Sequence, residues 1–326
     1  MKIAIAVPPS AVPRSGNWHT AARWAGFLRE LGHRVRIVTR WRGGHDDLLL
    51  ALHARKSFDS ILRFSDLRPA APLIVALTGT DLYRDIRTHS EARQSLGLAS
   101  RLIVLQEKGL RELSAFLRRK TSIVYQSSNV TLRQAPDRSR FRVAVIGHLR
   151  SEKDPFRAVQ ALRRIERSTP VEVQQVGAAL DREMRERARG WKKIERRYRW
   201  LGSLEHKAAL RLLASSHVLV VSSVMEGGAN VICEAARIGV PVLASRIAGN
   251  VGMLGRDYPG YFPLFDDRAL ARLIERCRTD ESFYKKLRGA LLRRRALFAP
   301  GAERAALKRL LQGLPADSRR KAVRRS

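Results

Sequence analysis

Short apolar runs alternate with amphipathic stretches from one end of the chain to the other. The apolar runs have the length of buried strands, and the stretches between them have the spacing of helices. This alternation is typical of parallel sheets covered by helices on both faces. The predicted fold class is therefore α/β, with two Rossmann-like, doubly wound domains. The predicted strands are residues 3–7, 35–39, 48–52, 73–77, 102–105 and 123–125, then 141–147, 171–176, 218–221, 240–244 and 261–265.

Domain boundaries follow from the segments that lack an apolar period. The polar, proline-containing segment 129–140 predicts a linker. Helices are predicted around residues 20–31, 57–64, 108–117, 281–297 and 302–314. We predict an N-terminal domain at 1–130, a C-terminal domain at 139–290, closing helices at 291–314 that pack back toward the N-terminal domain, and a disordered basic tail at 315–326.

Composition narrows the class of partner only partly. The 326 residues are 44% hydrophobic, enough for two buried cores, and the formal net charge is +33. This charge favours anionic partners such as nucleotides, phosphates, nucleic acid or an acidic membrane surface. The arginines are spread over nearly every predicted helix, as a genomic bias toward arginine would also produce. Only 6% of residues are aromatic and no recognition-helix motif is visible, so we expect no specific nucleic-acid binding.

The cysteines and the chain start bear on the cellular compartment. Cys233 and Cys277 show no pairing or metal-ligand spacing, which fits a reducing cytoplasm. The first apolar run ends at Pro8 and Pro9, too early for a signal peptide. No run approaches the roughly 20 apolar residues of a membrane-spanning helix. We therefore expect a cytoplasmic protein without integral membrane contact, and the oligomeric state stays open.

The segment most informative about chemistry is SSVMEGGANVICEA, residues 222–235, which follows a predicted strand and opens a helix. Its glycine pair lets the backbone approach a ligand, and the free N–H groups at the helix start favour a diphosphate. A carboxylate of this segment can accept both hydroxyl hydrogens of a ribose. A glycine turn with an exposed helix glutamate is the alternative. The predicted nucleotide-sugar-binding residues are Gly16, Glu226, Gly227, Gly228, Ala229, Asn230, Val231 and Glu234.

The loop after the first strand of the second domain, residues 147–155, contains two cations. Arg150 offers a planar guanidinium and Lys153 a point charge, and together they can neutralise a departing diphosphate. Two solvated surface cations are the alternative in so arginine-rich a chain. We predict Arg150 and Lys153 as the catalytic residues. His148 in the same loop is either a ligand contact or a loop residue that satisfies backbone groups.

Two loops of the first domain supply the predicted acceptor site. In the loop that joins the first strand to the first helix, Asn17 is either a ligand contact or the helix N-cap. The loop at residues 76–85 is dense in hydroxyls and carboxylates, and Asp81 either orients a sugar or caps a short helix. No D-x-D pair follows a strand, so we expect neither a metal ion nor a cofactor. The predicted acceptor and sugar-binding residues are Arg14, Asn17, His19, Thr20, Thr78, Gly79, Thr80 and Asp81.

Together these segments resemble the family 4 glycosyltransferases with the GT-B fold, in which two Rossmann-like domains face each other across a cleft. The E-x7-E motif of that family matches Glu226 and Glu234, and its phosphate-binding Arg and Lys match Arg150 and Lys153. The resemblance extends over nearly the whole chain. It implies transfer of a sugar from a nucleotide-activated donor to a second substrate, with retention at the anomeric carbon as the default.

More closely, five strings are similar to the selenosugar synthases of selenoneine biosynthesis, a branch of these enzymes: GNWHTAARW, ALTGTDLYRD, IGHLRSEKDPFRA, SSVMEGGANVICEA and GNVGMLGRDYPGYF. This resemblance implies UDP-N-acetylglucosamine or a related UDP-sugar as donor and selenophosphate as acceptor. Thr78 stands where many family 4 enzymes have a histidine near the sugar. Its presence is compatible with an anionic selenium nucleophile, which needs no activating base. The alternative is transfer to a lipid or glycan hydroxyl.

Overall fold

The computed structural model describes residues 1–9, 16–136 and 139–314. These residues form two compact units. The first unit combines residues 1–126 with the described part of the chain from Pro300 onward, and the second unit spans residues 127–299. The predicted basic tail at 315–326 lies outside the described residues.

Among the described residues, each unit contains a sheet of six parallel strands, in the order β2-β1-β3-β4-β5-β6 in the first unit and β12-β11-β10-β7-β8-β9 in the second. This arrangement confirms the predicted α/β class. The strands are β1 Lys2–Ala6, β2 Arg34–Val38, β3 Leu48–Leu52, β4 Leu73–Leu77, β5 Arg101–Val104, β6 Thr121–Ile123, β7 Phe141–Ile146, β8 Val171–Val176, β9 Tyr198–Trp200, β10 Val218–Val221, β11 Val242–Ser245 and β12 Tyr261–Phe262. Strand β9 was not predicted, because an edge strand of three residues with an exposed arginine leaves no apolar run.

The helices cover the sheets and connect successive strands. They are α1 Gly16–Glu30, α2 Phe58–Leu67, α3 Ile86–Thr88, α4 Ser90–Leu98, α5 Ala115–Arg119, α6 Arg157–Leu162, α7 Arg182–Ile194, α8 His206–Ala214, α9 Asn230–Ile238, α10 Ala248–Leu254, α11 Asp267–Thr279, α12 Glu281–Leu292 and α13 Pro300–Gln312. None of the helices in the described ranges is long and apolar enough to cross a membrane.

The single helix predicted at residues 108–117 is instead two short helices. A 3-10 helix, Glu107–Glu112, begins where the Gln106 side chain accepts a hydrogen bond from the Lys108 N–H at 2.6 Å. The Ser114 hydroxyl then accepts a hydrogen bond from the backbone of Leu117 and opens α5. Two N-capping side chains within one apolar period therefore divide the helix.

The end of the chain returns to the first unit later than the predicted boundary at residue 291. Helix α12 and the 3-10 helix Arg295–Phe298 belong to the second unit, and only α13 belongs to the first. Leu307 of α13 lies in the same buried cluster as Trp24 of α1. The fully buried Glu303 accepts a hydrogen bond from the Trp24 indole N–H at 2.6 Å. Helix α13 is therefore an integral part of the first unit.

The strand orders locate the switch point of each sheet. In the second unit the chain runs outward from β7 through β8 to β9 and then returns to the other side of β7 with β10. In the first unit the corresponding reversal lies between β1 and β3. Ligands of doubly wound sheets bind beyond the carboxyl ends of the strands at such reversals. The loops after β7 and β10, and those after β1 and β3, are therefore the places to search for a site.

Candidate functional site

The loops after β7 and β10 are joined by hydrogen bonds into one surface. The backbone N–H of Val224 donates to the carbonyl of Glu152 at 2.9 Å. The Ser222 hydroxyl donates to the carbonyl of Asp154 at 2.8 Å. Residues 150–153, which contain both predicted catalytic cations, are thereby held against the start of the segment 222–235. Arg150 is exposed in this loop, directly before the 3-10 helix Ser151–Lys153.

Lys153 and Glu226 form an ion pair at the centre of this surface. The Lys153 ammonium donates to Oε1 of Glu226, and the Ser223 hydroxyl donates to the same oxygen at 2.6 Å. Glu226 is buried, and a buried carboxylate requires such partners. Its other oxygen, Oε2, accepts no hydrogen bond within the described part of the chain. Because an ammonium has three donors, Lys153 can hold Glu226 and a ligand oxygen at once. A small cavity beside the pair is also lined by Gly147.

A layer of polar residues beneath Glu226 fixes its position. The Ser245 hydroxyl donates to the carbonyl of Ser223 at 2.6 Å, and the Asn250 amide donates to the carbonyl of Ser245 at 2.9 Å. Gly249 lies so close that a Cβ there would stand 2.0 Å from the carbonyl oxygen of Glu226. We did not select Ser223, Ser245, Gly249 or Asn250 from the sequence. Ser245 comes directly after a predicted strand, and the other three lie in two of the strings that carry the resemblance.

The start of α9 is suited to an anion. Its N-cap residue, Ala229, provides no side-chain cap, so the first N–H groups of the helix are left to other acceptors. The glycines at 227–228 precede this turn. Within the described ranges, the buried Oδ1 atom of Asn230, an acceptor, has no hydrogen-bond partner. An uncapped helix start with its positive dipole end favours phosphate oxygens. The structure thus brings the predicted diphosphate-binding turn next to Lys153.

Glu234 lies in the second turn of α9 and is paired with a histidine that we did not predict. Its Oε1 atom is 2.8 Å from Nε2 of His206, which opens α8. The Glu234 side chain is 15% exposed, whereas that of His206 is 56% exposed. The hydrogen bond to Glu234 raises the pKa of His206 above its usual value and outweighs the opposing effect of partial burial.

The His206–Glu234 pair predicts a pH-dependent contribution to stability. A group whose pKa is raised by folding stabilises the protein fully below its unfolded pKa, and this contribution disappears as the pH rises through the folded pKa. His206→Gln keeps a hydrogen-bond donor but does not titrate. We expect the variant to be less stable than the parent at pH 6, by less than about 1 kcal/mol because the ring is largely exposed. Urea unfolding at pH 6 and pH 8 measures this, and an equal difference at both pH values would contradict it.

In the first unit, the start of α1 differs from the prediction. Asn17 is the second residue of the helix, so it is not its N-cap. Thr20 is buried, and its hydroxyl donates to the carbonyl of Gly16 at 2.9 Å and accepts a hydrogen bond from Gln126. The structure therefore does not present Thr20 to a ligand, because its side chain points into the unit. His19 is exposed. The predicted Arg14 lies outside the described residues.

Asp81 orders the loop after β4. It is fully buried, and its Oδ1 atom accepts hydrogen bonds from the backbone N–H groups of Thr78 at 2.9 Å and Gly79 at 2.8 Å. Its Oδ2 atom accepts one from Ala54 at 2.9 Å, in the loop after β3. With both oxygens used by the backbone, Asp81 shapes two loops and is not open to a sugar. The half-buried Thr78 and Thr80 remain the side chains of this loop that a ligand can reach.

Comparison with known proteins finds one family model that matches part of the chain. Residues 133–291 match the family model of glycosyl transferases group 1, and this stretch lies inside the second unit. Among curated proteins, none matches the chain in sequence. Within the described residues, no group of three or more His, Cys, Asp or Glu side chains is arranged to hold a metal ion.

Solved structures that resemble nearly the whole chain include the following three. HepE of Anabaena in complex with UDP and glucose is 17% identical with a TM-score of 0.75, covering 96% of this chain and 100% of its own. Sucrose-phosphate synthase of Thermosynechococcus elongatus is 19% identical with a TM-score of 0.75, and the match covers 96% of this chain and 98% of the synthase. A glycosyltransferase of Rickettsia africae is 13% identical with a TM-score of 0.73, and the match covers 96% of this chain and 98% of that glycosyltransferase. The chain thus has the GT-B glycosyltransferase fold, and residues 133–291 of its second unit match the glycosyl transferases group 1 model.

Proposed function

We propose that this protein is a glycosyltransferase whose second unit binds a UDP-sugar. The observation that carries the proposal is the Lys153–Glu226 pair beside the uncapped start of α9, at the switch point of the second sheet. One cation, a row of backbone donors and two carboxylates are the groups that a diphosphate and its sugars need. HepE, which is similar in fold, has been solved with UDP-glucose.

Each group has a distinct role in the proposed reaction. The bond between the sugar C1 and the diphosphate oxygen breaks, and negative charge grows on the departing UDP. Arg150, Lys153 and the N–H groups of α9 stabilise that charge, which lowers the barrier because the interaction strengthens toward the transition state. Glu234 accepts the ribose hydroxyls. We propose that these cations act without a metal ion, so activity should survive excess chelator.

Glu234→Ala should weaken UDP binding by about 1.5–3 kcal/mol, the usual loss for a hydrogen bond to a charged group. Isothermal titration calorimetry with UDP measures this change. Glu183→Ala, which removes an exposed glutamate of α7 in the same unit, is the matched control and should bind UDP like the parent. If Glu234→Ala also binds UDP like the parent, Glu234 does not hold the ribose.

We further propose selenophosphate as the acceptor and N-acetylglucosamine as the sugar. The similarity of five strings to selenosugar synthases supports this, as does Thr78 in place of a base. The anionic selenium attacks C1, a carbon–selenium bond forms, and UDP leaves. Arg150→Ala is expected to depress the turnover of this reaction.

The acceptor is tested with purified protein, UDP-N-acetylglucosamine and selenophosphate, by measuring UDP release and the mass of the product. We expect a seleno-sugar with selenophosphate, less product with thiophosphate and little with phosphate, since oxygen is the harder and less nucleophilic atom. If UDP release requires a lipid or glycan hydroxyl and does not respond to selenophosphate, the proposed acceptor is wrong. The proposed glycosyltransferase activity would still stand.

A further inference from the structure

A buried histidine stands at the switch point of the first sheet. His53 directly follows β3, next to β1, and is 3% exposed. Its backbone φ is +74°, in the left-handed region that side chains other than glycine seldom adopt. Its N–H donates to the carbonyl of Ala76 in β4 at 2.9 Å, which holds the strained residue in place. Strain of this kind persists where the surroundings impose it, and it is concentrated at functional sites.

The hydrogen bonds of the His53 ring define which nitrogen carries its hydrogen. The backbone N–H of Lys56 donates to Nδ1 at 3.3 Å, so Nδ1 is an acceptor. A neutral imidazole with an accepting Nδ1 has its hydrogen on Nε2. Burial lowers the pKa of His53 below its usual value, and the positive charges of Lys56 and Arg55 lower it further. The carboxylates of Asp81 and Asp85 oppose this effect but do not outweigh it. The ring is therefore neutral at physiological pH.

The neutral ring determines what Thr80 can do. Nε2 of His53 lies 3.0 Å from the Thr80 hydroxyl oxygen, so Nε2–H donates and the hydroxyl accepts. The hydroxyl hydrogen of Thr80 is then left to donate elsewhere, and this side chain does not cap the helix that follows. Thr80 is half-buried, at the end of the loop after β4. It therefore offers a donor to a ligand at the carboxyl edge of the first sheet.

The charges around this loop also favour an anion. Asp85 is fully buried and forms ion pairs with two arginines. Nε of Arg84 lies 3.2 Å from Oδ1 of Asp85, and Nε of Arg55 lies 3.5 Å from its Oδ2. Asp81 is satisfied by backbone N–H groups, and the exposed Lys56 adds a positive charge that acts on His53. Arg55, Lys56 and Arg84 thus outnumber the two carboxylates Asp81 and Asp85 in the loops after β3 and β4. Neither His53 Nε2, which bears a hydrogen, nor Thr80, which accepts that hydrogen, can remove a proton from an alcohol.

We propose that His53 is a positioning residue that sets Thr80 as a hydrogen-bond donor to an acceptor substrate that is already anionic, of the phosphate or selenophosphate class. The inference rests on the proposed function and deepens it. An alcohol acceptor needs a base that these two residues do not supply, whereas an anion needs a donor. The pair therefore offers the acceptor a hydrogen-bond donor and no base, and in the proposed function the second unit binds the sugar donor.

The first test compares Thr80→Val, which removes the hydroxyl at nearly constant shape, with Thr80→Ser, which keeps it. Thr80→Val should raise the KM for selenophosphate about tenfold or more, as expected for one hydrogen bond to a charged group, with the Kd of UDP unchanged. Thr80→Ser should retain most of the acceptor affinity. An unchanged KM in Thr80→Val would overturn the inference.

The second test addresses His53 by rescue. His53→Leu should raise the same KM, and His53→Gln, whose amide N–H stands near the position of Nε2, should restore most of it. A purely structural role would instead lower the melting temperature of both variants alike and affect the Kd of UDP. Equal KM values in the leucine and glutamine variants would argue against positioning.

Two measurements separate this inference from the proposed function. The imidazole ¹⁵N shifts of His53, assigned by comparison with His53→Gln, should show the neutral ring with hydrogen on Nε2, and hydrogen on Nδ1 would overturn the inference. Titration of thiophosphate into the protein with UDP present should give about tenfold weaker binding in Thr80→Val than in the parent, the loss expected for one hydrogen bond to a charged group. Absence of thiophosphate binding by the parent also overturns it. Failure to bind UDP or to release it from a UDP-sugar, by contrast, would overturn the proposed donor reaction.

Discussion

Replacing Lys153 with alanine is expected to lower kcat about 100- to 1000-fold, the range seen when one preorganised donor to a developing charge is removed. The Lys153 ammonium donates a hydrogen bond to Glu226. This pair lies beside the start of α9, and the diphosphate of the proposed donor is expected at that helix start. Because the charge on UDP grows as the C1–O bond breaks, the loss should appear in kcat and only weakly in the KM for the UDP-sugar. Steady-state kinetics with varied donor measure both quantities.

The same substitution leaves the buried Glu226 without its cation, so a loss of folding must be separated from a loss of catalysis. The double variant Lys153→Ala, Glu226→Gln removes the uncompensated charge and should recover stability without recovering kcat. Lys193→Ala removes an exposed lysine of α7 in the same unit and should change neither. A folded Lys153→Ala protein with kcat close to that of the parent would exclude Lys153 from the chemistry.

The fold was largely predictable because buried parallel strands are continuous apolar runs. Strands such as β3 and β4 have every residue buried and match their predicted bounds. The failures have local causes: β9 is a short edge strand, and the capping side chains of Gln106 and Ser114 divide one predicted helix into two. An apolar period records which face is buried, but it does not show where a side chain ends a helix.

The candidate site was predictable only where neighbouring residues share one loop. Glu226 and the helix start after it are local features, and Lys153 was selected from its own loop. Their contact spans 73 residues and requires the switch-point topology. Tertiary hydrogen bonds also give two predicted site residues roles that the sequence does not predict. They place Thr20 inside the first unit and commit Asp81 to the backbone.

Several residues that support the site carried no sequence signal of their own. Ser245 and Gly249 belong to the next strand and helix, and their relation to residues 223–226 exists only after β10 and β11 have paired. His53 resembled any residue at the end of an apolar run, and its left-handed backbone is visible only in the structure. Close approach of two backbones is a property of packing, so it does not appear in a pattern of apolar and polar positions.

Gly249→Ala should damage both stability and activity, because the new Cβ would meet the main chain of Glu226. It would lie 2.0 Å from the carbonyl oxygen and 2.8 Å from the carbonyl carbon, so one of the two segments must move. The Asn250 amide ties the start of α10 to Ser245 at 2.9 Å, which resists movement of the helix. The displacement therefore falls on Glu226 and its pair with Lys153.

We expect Gly249→Ala to lower the free energy of unfolding by about 1–3 kcal/mol, as overpacking usually does. We also expect it to lower kcat about 100-fold, because a shift of about 1 Å in a catalytic group has that effect. Gly190→Ala is the matched control, because Gly190 is also helical, lies in the same unit and has no neighbouring atom within 4 Å of the place its new Cβ would take. That control should gain about 0.5–1 kcal/mol, since alanine is the better helix former. Urea unfolding and steady-state kinetics on both variants measure these opposite signs. If Gly249→Ala gains stability like Gly190→Ala and keeps its kcat, the backbone of Glu226 does not rest on α10, and the support assigned to this glycine is wrong.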